Sequence, residues 1–89
     1  MIEVAFSPIF EGNFRKRCKG KTYLEEKFWQ RLEIFLQDPF DSRLRTHKLT
    51  GKLRELWSFS VEYDMRVIFY FVTETQVVFV DIGTHDEVY

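Results

Sequence analysis

The feature that most constrains this fold is a change in the spacing of apolar residues at Asp38-Pro39. Before this point, apolar residues recur three or four positions apart, which is typical of one face of a helix. After it, apolar and β-branched residues alternate with polar ones or form short continuous runs, which is typical of strands. Since proline cannot continue a helix, the two patterns are separated by a break. The spacing predicts helices followed by a sheet.

Seven segments carry these patterns. We expect strands at residues 2–6, 47–49, 56–62, 66–72 and 76–82, and helices at residues 7–17 and 22–37. Ser7-Pro8 is typical of a helix start, and Thr22 with Glu25 matches the S/T-x-x-E capping pattern. Apart from the short strand at 47–49, the order is β-α-α-β-β-β. This order predicts an α+β fold in which two N-terminal helices pack on an antiparallel sheet.

Composition limits the class of protein. Of the 89 residues, 45% are hydrophobic and 18% aromatic, which is enough for one core and predicts a single domain over residues 1–89. No stretch is long and apolar enough for a membrane span, and the N-terminus lacks a signal core. The lone cysteine, Cys18, has no partner for a disulfide, which fits a reducing compartment. We expect a cytoplasmic protein without a membrane partner.

Charge is distributed unevenly along the chain. Residues 1–54 hold twelve Lys and Arg against seven Asp and Glu, whereas residues 55–89 hold one Arg against seven acids. The densest basic segment, residues 43–54, has five Lys and Arg, one His and no acid. Such a segment is suited to nucleic acid because each neutralised phosphate releases counterions. It is also typical of a solvated loop.

The C-terminal histidine is the first candidate for chemistry. His85 follows the predicted strand 76–82, and imidazole exchanges protons near neutral pH. If Arg66 starts a strand and His85 ends the next, the two lie at neighbouring ends of an antiparallel pair, with Asp64 in the turn beside them. Each residue has an alternative interpretation. His85 is otherwise a solvated histidine at a frayed chain end, Asp64 is an ordinary turn residue, and Arg66 forms a structural ion pair with a neighbouring strand.

The residue types fit RNA cleavage by the 2′-hydroxyl of the RNA itself. That reaction needs a base, an acid and cations for the charge that builds on the phosphate. The residues of these types are His47, Asp64, His85, Lys48, Lys52 and Arg66. We expect no cofactor. The two histidines are thirty-eight positions apart and have no metal-ligand spacing, and a glycine-rich phosphate loop is absent from the sequence.

Taken together, the segments resemble the RelE/ParE superfamily of bacterial toxins, and most of all its YafQ-type and plasmid-stabilisation branch. The resemblance covers nearly the whole chain. It is carried by residues 44–51, 56–61 and 66–69, and by Gly83-Thr84-His85 with Tyr89. It implies a toxin that cleaves mRNA in the A site of the 70S ribosome and is held inactive by a cognate antitoxin protein.

The resemblance also implies roles for individual residues. His85 matches the histidine of the Gly-Thr-His ending, which would be a general acid or base. His47 matches a second histidine, and Asp64 matches a catalytic acidic residue. Arg66 resembles the arginine that steadies the scissile phosphate, and Tyr89 matches an aromatic residue that holds the substrate. The basic positions Arg45, Lys48, Lys52 and Arg54 are expected to bind substrate.

Two positions depart from the YafQ-type pattern. Ser60 stands where YafQ-type toxins have a further histidine, and Met65 stands where they have a tryptophan. The division of proton transfers among His47, Asp64 and His85 therefore stays open. A ParE-like toxin that binds DNA gyrase without catalysis, and an inactive toxin-like protein, are the alternative functions, because folds of this kind serve more than one activity.

Overall fold

The computed structural model describes residues 1–51 and 55–88. Strands and helices follow in the order β1 (Glu3–Phe6), α1 (Pro8–Cys18), α2 (Thr22–Gln37), a 3-10 turn (Ser42–Leu44), β2 (His47–Lys48), β3 (Trp57–Glu62), β4 (Met65–Phe71), β5 (Gln76–Gly83) and α3 (His85–Val88). The predicted α+β fold is confirmed, and each predicted strand and helix is present within one or two residues of its expected bounds.

The five strands form one sheet in the order β1-β5-β4-β3-β2. Strands β2 to β5 are antiparallel neighbours, but β1 pairs with β5 in parallel, with Val4 opposite Val77 and Phe6 opposite Phe79. The sheet is therefore mixed, whereas we expected an antiparallel sheet. Local spacing does not reveal this pairing because it joins the two ends of the chain, separated by both long helices.

The helix starts differ from each other. The Ser7 hydroxyl caps α1 by accepting the Phe10 N–H at 3.0 Å, as the Ser7-Pro8 pattern predicts. Thr22 does not cap α2: Lys21 is the N-cap residue, and its side chain makes no capping hydrogen bond. The expected capping role of Thr22 is therefore wrong, since Thr22 already has helical geometry.

Aromatic rings fill the space between the helices and the sheet. Phe79 on β5 is fully buried and lies within ring-contact distance of Phe10 and Phe28 from the helices and of Phe59 and Phe69 from neighbouring strands. Ring pairs of this kind stabilise a core beyond the area they bury. The two long helices thus cover one face of the sheet. On the opposite face, Ser58 and Ile68 are buried as well, whereas Ser60 and Arg66 are partly exposed.

The C-terminus does not end as an extended strand. Strand β5 stops at Gly83, and His85 begins the short helix α3, so the expectation that His85 ends the last strand is wrong. A carboxylate oxygen of Glu87 accepts the Thr84 N–H at 2.9 Å, and the other oxygen pairs with Arg17 of α1. These contacts favour a turn because they satisfy a backbone donor that a free strand end would leave to water.

No helix in the described part of the chain is long and apolar enough to cross a membrane.

Cys18 is a buried free thiol at the end of α1. Its burial raises its pKa, and the nearby Glu25 carboxylate adds a smaller increase. Burial disfavours the thiolate because a charge loses its hydration.

Candidate active site

The sheet face opposite the helices carries the polar residues of β3 and β4. Phe59, Val61 and Val67 pack in the core on the helix side. Side chains alternate along a strand, so Ser60 and Arg66 lie on the other face. This face is the one on which the predicted site residues can meet.

Arg66 lies at the centre of this polar face. Its backbone pairs with Ser60 of β3 on one side and with Gly83 of β5 on the other. The guanidinium Nη1 donates a hydrogen bond to the Ser60 hydroxyl at 2.6 Å. Its Nε is buried and has no hydrogen-bond partner among the described residues. Arg66 as a whole is partly exposed, so its outer N–H groups can take an anionic acceptor.

Two candidate acid-base residues flank Arg66. His85 follows two residues after Gly83, the β5 partner of Arg66, and is exposed at the start of α3. Asp64 is exposed in the two-residue turn between β3 and β4, two positions before Arg66. The structure therefore places an imidazole and a carboxylate at the same end of the β4 and β5 strands as the arginine.

His47 approaches from the far edge of the sheet. It lies on β2 opposite Ser58 of β3, and its Nδ1 lies 3.2 Å from the Arg45 carbonyl oxygen. Ser58 and Ser60 are two positions apart on the same face. With strands about 4.8 Å apart and a rise of about 3.3 Å per residue, the Cα atoms of His47 and Arg66 are separated by roughly 12 Å. Extended side chains can bridge most of that distance around a bound phosphate.

Lys48 lies apart from this group. It pairs with Trp57, a residue of the helix-side face, and its Nζ is 5.9 Å from the centre of the Trp57 ring. A cation over an aromatic face is attracted by the ring electrons. The structure therefore does not bring Lys48 to the face that holds His47 and Arg66, and its predicted contact with substrate stays a prediction.

Arg45 does lie next to the polar face. It has a left-handed backbone conformation with φ of 52° at the end of the 3-10 turn. It lines a cleft of about 590 Å³ together with Arg66 and Ser60. The cleft extends beyond the predicted site, to Arg31 and Tyr63.

An ion pair holds the 3-10 turn on the other wall of this cleft. Asp41 accepts the backbone N–H of Arg43 and two guanidinium N–H groups of the same residue, each at 2.9 Å. These hydrogen bonds to Arg43 lower the pKa of Asp41 to about 2. The carboxylate is therefore charged near neutral pH and compensates Arg43.

The predicted substrate-binding residues Lys52, Arg54 and Tyr89 lie outside the described residues.

Three residues near the site were not predicted from the sequence. They are Ser60, the hydrogen-bond partner of Arg66, and Arg31 and Tyr63, which line the cleft. The alternation of Ser58 and Ser60 with core aromatics in β3 was the available signal for the serine. Nothing in the local spacing signals Arg31, which comes from helix α2.

Metal ligands do not gather among residues 1–51 and 55–88: no three His, Cys, Asp or Glu side chains there could hold a metal ion together.

A family model described as "Bacterial toxin of type II toxin-antitoxin system, YafQ" matches residues 2–89. The chain belongs to the YafQ family. It is thus a toxin of the type II toxin–antitoxin class, and the resemblance to YafQ-type toxins is confirmed. No curated protein sequence matches the chain significantly.

Solved structures of YafQ-type and related toxins share the fold. Escherichia coli YafQ from strain BL21(DE3) has a TM-score of 0.80 at 16% identity, with 100% of this chain and 99% of that chain covered. YafQ in the E. coli DinJ–YafQ complex has a TM-score of 0.69 at 19% identity, with coverage of 100% and 99%. A YoeB/ParE toxin from Agrobacterium tumefaciens has a TM-score of 0.79 at 12% identity, with coverage of 94% and 99%. At these identities the likeness concerns the fold alone.

Proposed function

We propose that this YafQ-family toxin is a ribosome-dependent endonuclease that cleaves mRNA at the codon in the ribosomal A site. The support is the arrangement of Arg66, Asp64 and His85 at one end of β4 and β5, together with membership of the YafQ family. A nucleic-acid backbone can approach Arg66 along the cleft that Arg66, Ser60 and Arg45 line.

The proposed reaction uses the RNA's own 2′-hydroxyl as nucleophile. A base removes the proton of that hydroxyl, and the oxygen attacks the adjacent phosphorus. The bond from phosphorus to the 5′-oxygen then breaks, and an acid donates a proton to this leaving oxygen. The products are a 2′,3′-cyclic phosphate and a 5′-hydroxyl end, so atoms and charge balance without an added reactant.

His85, Asp64 and His47 are the candidates for the two proton transfers. His85 and Asp64 flank Arg66 at one end of the strands, so they can lie on either side of a phosphate bound at the guanidinium. His47 lies two strands away and would reach the RNA from the other side of the polar face. We propose that His85 takes part in one proton transfer and that Asp64 or His47 performs the other.

Arg66 would neutralise the charge that develops on the phosphate. Its hydrogen bond to Ser60 fixes one end of the guanidinium, and Arg66 is partly exposed along the cleft that it lines, so an anionic oxygen can approach its outer N–H groups. A donor fixed before the reaction is effective because it need not reorganise as charge builds. This fixed and incompletely paired arginine is the single observation that carries the proposal.

Expression in cells tests the function. Wild type and His85→Ala are induced, and new mRNA 5′ ends are mapped; Asp86→Ala, an exposed neighbour in α3, serves as the matched control. We expect cuts within A-site codons for wild type and Asp86→Ala, and none for His85→Ala. Growth arrest without new RNA ends, equally strong in all three proteins, would contradict the proposal and favour the gyrase-binding alternative.

We propose further that a cognate antitoxin binds this protein, as DinJ accompanies YafQ in the solved E. coli complexes. A flexible antitoxin segment that crosses the polar face, or displaces the C-terminal residues, would block the RNA. Co-purification with the product of an adjacent reading frame, and loss of RNA cleavage in that complex, would support it. Unrestrained expression of the toxin alone with no effect on growth would contradict it.

A further inference from the structure

A basic cleft extends from Arg66 of the proposed active site, and most of its lining residues have no part in the proposed reaction. It lies between the 3-10 turn and the end of the β3–β4 hairpin and has a volume of about 590 Å³. Four arginines and one carboxylate line it: Arg31, Arg43, Arg45, Arg66 and Glu62. Since Asp41 pairs with Arg43, the remaining three arginines exceed the lining acid Glu62 by two charges.

Arg31 is fixed across one side of this cleft. Its Nε donates to the Val61 carbonyl at 3.3 Å and its Nη1 donates to the Arg43 carbonyl at 3.4 Å. A guanidinium has five N–H donors, so three remain after these two bonds. Backbone carbonyls compensate no charge. Arg31 therefore brings a positive charge and free donors to the cleft without an ion pair among the described residues.

Arg66 joins this cleft to the proposed active site. It lines the cleft and also lies between Ser60 and Gly83 in the sheet. A polyanion with one charged group at Arg66 can therefore continue into the cleft, where Arg45 and Arg31 lie. This continuity favours an extended polyanion such as RNA over an isolated small anion.

Tyr63 adds an aromatic surface at the mouth of the cleft. It lies in the β3–β4 turn, lines the cleft, and is 97% exposed. An exposed ring offers apolar area that a stacked ligand can cover. A ring next to arginines matches single-stranded RNA because bases stack on aromatic side chains while arginines hold phosphates.

We propose that Arg31, Arg45 and Tyr63 form a nucleotide subsite for the RNA segment next to the cleaved bond, with Arg45 and Arg31 on a phosphate and Tyr63 stacked on a base. This inference rests on the proposed function, because its ligand is the RNA that the adjoining site cleaves. An acidic antitoxin segment would need the same charges but not the exposed ring.

The salt dependence of RNA binding separates the phosphate contacts of the arginines from the base stacking of Tyr63. The probe is a hexanucleotide RNA with 2′-methoxy sugars, which cannot be cleaved, titrated by fluorescence anisotropy between about 50 and 200 mM salt. Affinity falls as salt rises, so the slope of log affinity against log salt is negative. We expect Arg45→Gln to make this slope less steep by about 0.7, since one phosphate contact to a single strand is lost. Tyr63→Ala should weaken binding roughly 10-fold with the slope unchanged.

Matched variants and ligands serve as controls. Arg15→Gln removes the same charge from the exposed side of α1 and should leave affinity and slope unchanged. Tyr63→Phe keeps the ring and should restore binding. An abasic oligonucleotide of equal length should bind Tyr63→Ala as well as it binds wild type, because it offers phosphates but no bases to stack.

The result that overturns the subsite is wild-type affinity and slope in both Arg45→Gln and Tyr63→Ala. Loss of affinity in these variants for the cognate antitoxin only, with RNA binding intact, also overturns it and assigns the cleft to the antitoxin. Cleavage by wild type on purified ribosomes is measured in parallel. Wild-type cleavage with unaltered variant binding rejects the subsite alone. Altered binding without any wild-type cleavage rejects the proposed function and leaves the cleft as a site that binds RNA without cleaving it.

Discussion

The two faces of the sheet differ in the residues they present, although the same strands supply both. On the helix side, Phe59 and Phe69 are fully buried among other aromatic rings. On the opposite side, Ser60 and Arg66 form a hydrogen-bonded pair at a partly open surface. A shift of one residue along a strand changes the face. Stability and the proposed chemistry are therefore carried by alternate residues, and substitutions on the two faces should have separable effects.

The largest effect on stability is expected in the core. Phe79→Ala removes a fully buried ring that contacts rings from both helices and neighbouring strands. Such a substitution loses about 3–5 kcal/mol of the free energy of unfolding. Urea denaturation followed by circular dichroism measures this change. Tyr70→Ala is the control, because Tyr70 is 37% exposed and lies on the face away from the core; a loss below about 1 kcal/mol is expected for it. Equal losses in the two variants would contradict the division between faces.

The second prediction concerns the polar face. Arg66→Gln should lower the single-turnover rate of mRNA cleavage on ribosomes by about 10²–10³-fold, because it removes a fixed donor from the developing charge. Ser60→Ala should lower the rate less, since it frees the guanidinium without removing it. Unfolding curves of both variants provide the control for folding. A correctly folded Arg66→Gln protein that cleaves at the wild-type rate would contradict a role for Arg66 in the proposed chemistry.

A smaller effect is expected at the attachment of α3. Glu87→Ala removes both the Thr84 N–H acceptor and the ion pair with Arg17, whereas Glu87→Gln keeps an acceptor oxygen for the N–H. Loss of a helix cap costs about 1 kcal/mol. The helix that carries His85 should then be ordered less often, and cleavage should fall about 5-fold in Glu87→Ala but less in Glu87→Gln. Wild-type rates in both variants would show that the contacts of Glu87 do not position His85.

The smallest expected effect is a pH dependence near the 3-10 turn. Hydrogen bonds from Arg43 lower the pKa of Asp41 from 3.8 to about 2. The carboxylate therefore stabilises the folded state above about pH 4, and this contribution is lost as pH falls towards 2. In Asp41→Asn this part of the acid dependence should be absent when the free energy of unfolding is followed from pH 5 to 2. An unchanged pH profile would mean that the ion pair contributes no measurable stability, as is common for exposed pairs.

Local spacing was sufficient to predict most of the fold. The helical stripe that includes Phe28 and Phe35, and the alternation in β3, are set by short-range geometry that the sequence displays directly. The parallel pairing of β1 with β5 was not predictable in this way, since it depends on how the helices carry the chain across the sheet. The helical turn at His85 was missed because it depends on contacts of Glu87 that come from two parts of the fold.

The candidate site was predictable in residue type but not fully in arrangement. The turn and strand pattern correctly indicated that Asp64, Arg66 and His85 lie at one end of β4 and β5. The basic segment was a weaker guide, because alternation on the two-residue strand β2 sends His47 and Lys48 to opposite faces. Arg31 and Tyr63 could not be predicted for the cleft, since their proximity arises only when α2 packs beside β3.

The most direct test of the proposed chemistry is the single-turnover rate of mRNA cleavage by His85→Ala on purified programmed ribosomes, measured with its free energy of unfolding. We expect the rate to fall about 10²–10⁴-fold because an acid-base group is lost. The free energy of unfolding should stay within about 0.5 kcal/mol of wild type, since His85 is exposed. A folded His85→Ala protein that cleaves A-site codons at the wild-type rate would contradict the account.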